Sequence, residues 1–119
     1  MNIAEFKERL LGKNGKDLRI DYEDDVVVTR KICAVLLHSF LQQIEHEKDE
    51  IDISSAMVLK DIYDCRICAN HIAQVYVKGI MKEGRILGDM KLFDLDPEVS
   101  TDDADTYISR CKDRSLRLL

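Results

Sequence analysis

The sequence predicts an all-α domain, a small helical repeat made of two helix-loop-helix units packed together. Three observations carry that prediction. Apolar residues recur at three- and four-residue intervals in four separate stretches. Glycine- and aspartate-containing segments without any period lie between them. The two halves also present the same features in the same order. With 119 residues, 45% of them hydrophobic and 34% charged, the chain is sized for a single core and one domain, 1–119.

The first stretch puts Ile3, Phe6, Leu10 and Leu11 on one face, and Gly12 stops it. Residues 13–25, with Gly15 and several aspartates, read as a loop. Thr29 is the predicted N-cap of a longer helix whose buried face is Cys33, Leu36, Leu37, Phe40, Leu41 and Ile44. Residues 45–52 are almost all charged and read as a solvated connection. Ser54 or Ser55 would cap a short turn ending at Leu59. Asp64 would cap the next helix, with Cys65, Cys68, Ala69, Ile72, Val75, Tyr76 and Ile80 inward and an end near Gly79. Residues 83–98 read as another loop, and Ser100 with Asp103 opens a last helix carrying Ala104, Tyr107, Ile108 and Cys111.

The repeat runs helix, glycine, acidic loop, aromatic, valine, capped helix. Tyr22, Val28 and Thr29 recur 71 positions later as Phe93, Val99 and Ser100, and Gly12 recurs as Gly79. Each unit would leave one apolar face open for the other to cover. The expected organisation is a first unit over 1–47, a connector over 48–60, a second unit over 61–112 and a tail over 113–119.

Asp61-Ile62, Ile67-Cys68, Gly79-Ile80, Phe93, the run 99–110 and the dipeptide Thr29-Arg30 together resemble the S-layer homology family of bacterial repeats. The resemblance implies a helical repeat fold and, in typical three-repeat members, binding of an anionic cell-wall polysaccharide. Ile67 stands at the family's tryptophan position, Arg30 at its groove arginine, and Thr101 in place of a second arginine. The groove residues expected from this alignment are Arg30, Tyr22, Thr29 and Ile67. With two units and Ile67 for tryptophan, the leading expectation is a protein partner held inside the cell. Cell-wall polysaccharide is the alternative, an acidic nucleic-acid mimic a minor one, and a homo-oligomer is compatible with the pattern.

The composition narrows the classes further. Eighteen Lys and Arg against 23 Asp and Glu give a net charge of −5, which disfavours direct nucleic-acid binding. The basic tail from Arg110 to Arg117 is brief and contains Asp113. No run approaches the roughly 18 apolar residues of a membrane span, and the charged N-terminal stretch does not read as an export signal. A cytoplasmic location is the expectation, with Cys33, Cys65, Cys68 and Cys111 as reduced thiols.

Cys65-Arg-Ile-Cys68 is the one redox-like motif, but Cys68 occupies a small buried position of the repeat, and packing is the expected role. With His71 the three side chains climb and spread around one helix, a poor match to tetrahedral zinc. His38 and His46 are expected on a polar face or rim. Asp94, Asp96, Glu98, Ser100, Asp102 and Asp105 have the spacing of a calcium loop, but Val99 replaces its glycine, and a solvated acidic loop is expected. The sequence therefore predicts no enzyme, no catalytic residue, no metal and no cofactor.

Overall fold

The structure, a computed structural model, describes residues 1–12 and 18–119. The expected loop at Gly15 falls outside the described residues for positions 13–17. Among the described residues four helices follow in order: α1 (Ile3–Leu11), α2 (Arg30–Gln43), α3 (Ala69–Val77) and α4 (Thr101–Lys112). Single 3-10 turns occupy Ser54–Val58, Arg66–Cys68 and Arg114–Leu116.

The helix signals act through identifiable atoms. Asn2 caps α1 by accepting from the Glu5 N–H at 2.9 Å, and Gly12 ends it at φ 73°, where a side chain would be strained. Ser100 accepts from the Asp103 N–H at 3.1 Å to start α4. Thr29 holds the cap position of α2 without a side-chain bond, and its hydroxyl is buried with no partner among the described residues. Residues Ile32 through Leu41 of α2 are all buried, so this helix is the axis of the core.

The all-α expectation is wrong. Residues 85–92 form an antiparallel hairpin of β1 (Arg85–Leu87) and β2 (Met90–Leu92), with Leu87 opposite Met90. Its two-residue turn is Gly88-Asp89, and Gly88 at φ 65° provides the left-handed first position that matches the strand twist. Both strands are largely exposed, so no alternation of apolar and polar residues marked them in the sequence. On its far side β2 meets the chain at Leu59, where the Lys60 N–H donates to Lys91 O at 2.9 Å.

The two halves cross over one another: α1 packs on α4, and α2 packs on both α3 and α4. The two loop-to-helix junctions, before α2 and before α4, pair directly. The Val99 N–H donates to Val28 O at 3.0 Å, the Arg30 N–H to Pro97 O at 3.0 Å, and Thr29 bridges Glu98 antiparallel. Val28 and Val99 are both buried. The equivalence ends there, because α2 buries ten consecutive residues and α4 only Ala104, Ile108 and Cys111.

Among the described residues no helix is long and apolar enough to cross a membrane. Among the described residues no group of three or more His, Cys, Asp or Glu side chains is placed to hold a metal ion. The carboxylates of the calcium-like spacing instead take separate cations: Arg85 for Asp94, Lys31 for Asp96, the N-terminal amine for Glu98 and Arg9 for Asp105.

Candidate functional site

A cleft of about 360 Å³ opens between the two halves, lined by Arg19, Ile20, Tyr22, Ser39, Gln43, Ile67 and His71, among others. Each wall has a local cause. Gln43, the last residue of α2, clamps the incoming chain by accepting from the Arg19 N–H at 2.9 Å and donating to Arg19 O at 2.8 Å. That double bond imitates a strand pairing and fixes residues 18–22 beside α2. The opposite wall is the 3-10 turn Arg66–Cys68, from which Ile67 projects with 82% of its surface exposed. His71, one helical turn further into α3, lies in the floor.

Beneath the floor runs a chain of polar side chains. His71 and His38 meet through their Nδ1 atoms at 2.8 Å, and His38 Nε2 lies 2.6 Å from Asp49 Oδ1. Because a carboxylate only accepts, His38 donates from Nε2, so in neutral His38 the Nδ1 accepts from His71 Nδ1–H. That leaves His71 Nε2 with its lone pair, and no side chain or backbone group among the described residues bonds to it. Burial, followed by the neighbouring His38, lowers the His71 pKa, with Asp49 opposing, so the ring favours its neutral form. Burial works to raise the Asp49 pKa, but the bond to His38 and that from Asn70 hold it below the ordinary carboxylate range.

His38 is fully buried, correcting its placement on a polar rim. Asp49 reaches it because residues 45–52, exposed as expected except for the half-buried Glu47, are also tied back onto the protein. His46, left-handed at φ 53°, reverses the chain after α2 and returns it along α3. There Asn70 and Gln74 of α3 and Lys78 at its C-cap, spaced four apart, bond to Asp49 Oδ2, to the backbone of Glu50 and to Lys48 O. Glu47 meets Lys78 at 2.7 Å and Arg117 at 2.8 Å in the same strap. The signal was the polar stripe at positions 70, 74 and 78 along a largely apolar helix and its C-cap, a pattern that calls for a polar neighbour.

Of the residues expected to form a groove, Tyr22 and Ile67 share this cleft, and Thr29 and Arg30 do not line it. Arg30 is turned inward. Its Nε donates to Phe93 O at 3.0 Å, one terminal nitrogen to the Tyr107 hydroxyl at 3.0 Å and the other to Lys82 O at 2.7 Å. Its guanidinium lies 4.8 Å from the centre of the Phe93 ring.

The cysteines also differ from expectation. Cys65 and Cys68 are joined as a disulfide, and only Cys33 and Cys111 are free thiols, both buried. Asp64 does not cap the helix; Cys65 stands outside it at the start of the 3-10 turn. The reason is geometric: a 3-10 turn leading into α3 brings the first and fourth residues close, with the two Cα atoms 5.2 Å apart, within disulfide range.

Compared with protein-family models, curated proteins and solved structures, the chain matches none.

Proposed function

We propose that the protein is a binding module for a basic polypeptide, and that the cleft between its halves receives an apolar side chain of that partner between Tyr22 and Ile67. The observation that carries this reading is Ile67, exposed at 82% on the cleft rim. Covering such a side chain is worth roughly 2 kcal/mol. The exposed apolar surface continues past the same 3-10 turn to Tyr63 and Met57, which edge a second, smaller groove with Ile53, Ile62 and Ala73. Single exposed hydrophobes are ordinary, but a run on both sides of one turn is the surface expected at an interface. The net charge of −5 favours encounter with a basic partner. The resemblance to S-layer homology repeats supports a repeat-derived groove, yet the arginine it would use against a polysaccharide has its donors engaged within the protein.

The test is selection from a random displayed-peptide library, followed by amide chemical-shift mapping of a selected peptide on labelled protein. The expected peptides are basic with at least one large apolar residue, and they perturb Tyr22, Ile67 and His71. Ile67→Asp should weaken them at least about tenfold, the equivalent of roughly 1.4 kcal/mol. Peptides that are acidic, that map elsewhere, or that bind Ile67→Asp equally well would overturn the proposal.

A further inference from the structure

The Cys65–Cys68 disulfide stands beside the cleft and is separated by two residues from the one imidazole there with an open nitrogen. We infer that Cys65 and Cys68 form a thiol-disulfide exchange site for an external dithiol, with His71 as its base. This rests on the pair and the histidine chain, independently of the polypeptide-docking reading.

Three placements carry it. First, access is one-sided: Cys65 is partly exposed, whereas Cys68 is fully buried. An incoming thiolate therefore reaches the Cys65 sulfur, and the buried Cys68 sulfur is the one displaced. Second, His71 follows Cys68 by three residues at the entry to α3, the spacing that brings two side chains onto one face about 5–6 Å apart at their Cβ atoms. Third, His71 is not an isolated imidazole. Its Nδ1 bonds to His38, which bonds to Asp49, so Nε2 is held as the acceptor, and the Asp49 carboxylate partly offsets the cost that burial and His38 place on the positive charge created when it takes a proton. A structural staple between residues three apart closes too short a loop to restrain much of the unfolded chain.

The exchange balances without a further cofactor. A thiolate of the dithiol attacks the Cys65 sulfur, forming a mixed disulfide, while the bond to Cys68 breaks and its electron pair goes to Cys68. The second thiol of the donor then attacks its own sulfur in the mixed disulfide and releases Cys65. The donor is oxidised by two electrons to a disulfide, and its two protons end on Cys65 and Cys68. In reverse, the Cys68 thiol passes its proton to His71 Nε2 before attacking the mixed disulfide on Cys65. Cys33 and Cys111 take no part: burial, with each other's proximity adding for Cys33, raises both thiols far above neutrality, Cys111 to about 12.

Folded protein would be equilibrated with reduced and oxidised dithiothreitol, alkylated and read by peptide mass spectrometry. The expected result is a reversible two-thiol transition confined to Cys65 and Cys68, with unchanged helical circular dichroism and Cys65 labelled faster than any other cysteine. Cys68→Ser should accumulate a mixed disulfide at Cys65 with oxidised glutathione. His71→Asn should slow closure of the reduced pair by oxidised glutathione roughly a hundredfold and remove an imidazole inflection from its pH profile. A pair that dithiothreitol opens only as the protein unfolds would overturn the inference. So would closure in His71→Asn at the wild-type rate and pH profile. Should His71→Asn not fold, the wild-type pH profile decides alone: closure that follows thiol ionisation without an imidazole inflection overturns the role of His71.

Discussion

Arg30 has the residue identity of a groove cation and the surroundings of a structural pin. Three of its donors tie the start of α2 to Phe93, to Lys82 and to Tyr107 of α4, and its plane covers the Phe93 ring. Arg30→Ala strands two carbonyls and a hydroxyl, so we expect a loss of about 3 kcal/mol in urea unfolding. Arg30→Lys should recover only a minority of it, because an ammonium cannot reproduce the planar fork. A stable Arg30→Ala protein would return the residue to the surface role. Glu47 is a second residue whose type misleads. Burial works to raise its pKa, but bonds and charge from Arg117 and Lys78 outweigh this and hold it at about 2, against an ordinary 4.5. The folded value is the lower one, so its stabilisation is complete above pH 4.5 and is lost as the pH falls towards 2. Glu47→Gln should cost roughly 3 kcal/mol at neutral pH, leaving Lys78 buried beside an uncharged group, and the gap to wild type should close across that acid window. Equal acid profiles for the two proteins would remove Glu47 from the account.

At the scale of elements, Gly12 and Gly79, the glycines that follow α1 and α3, separate a conformational role from a packing role. Gly12 and Gly79 both have positive φ, at 73° and 74°. A Cβ on Gly12 meets nothing within 4 Å, whereas one on Gly79 would stand 2.7 Å from the backbone of Leu118, whose N–H donates to Gly79 O at 2.9 Å. Alanine at either site carries the backbone penalty, roughly 1–3 kcal/mol, but only Gly79→Ala should release the C-terminal segment. Amide hydrogen exchange at Leu118 reads this: faster exchange is expected in Gly79→Ala and wild-type exchange in Gly12→Ala. A protected Leu118 in Gly79→Ala would contradict the packing role. The glycines, the Ser100 cap and the faces of α1, α2 and α4 follow from local signals, which is why those helices could be read from the sequence; the Asn2 cap emerged only from the structure. The hairpin could not, because three-residue exposed strands have no inward face to mark. The strap over 47–50 was hidden for another reason: its charges resemble a solvated run until Lys78 and Arg117 arrive from 30 and 70 residues away. Tyr22 and Ile67 of the cleft were named from an alignment of repeats, but the histidine chain joining α2, α3 and the strap needed three-dimensional pairing to appear.

At the scale of the whole molecule, neither half encloses its own apolar surface. The first helix of each half lies on the second helix of the other, α1 on α4 and α3 on α2, and the segments leading into α2 and α4 pair through the Val99 N–H and Val28 O. The polar ties also cross between the halves, through His38 to His71, Arg30 to Lys82, Arg9 to Asp105 and Glu47 to Arg117. Cutting the chain after Glu47 therefore leaves a first fragment with the α2 face uncovered and a second with α3 and α4 lacking the helix they pack upon. An exposed apolar face of that extent does not offset the conformational entropy of ordering a small fragment. We expect fragments 1–47 and 48–119, expressed separately, to show little helical circular dichroism and no cooperative thermal transition. Mixed, they should regain helicity and one concentration-dependent transition, since association replaces an intramolecular contact with a bimolecular one. A cooperative fold of 48–119 alone would show that the second half is a domain in its own right, and that the crossing of helices is contact rather than mutual dependence.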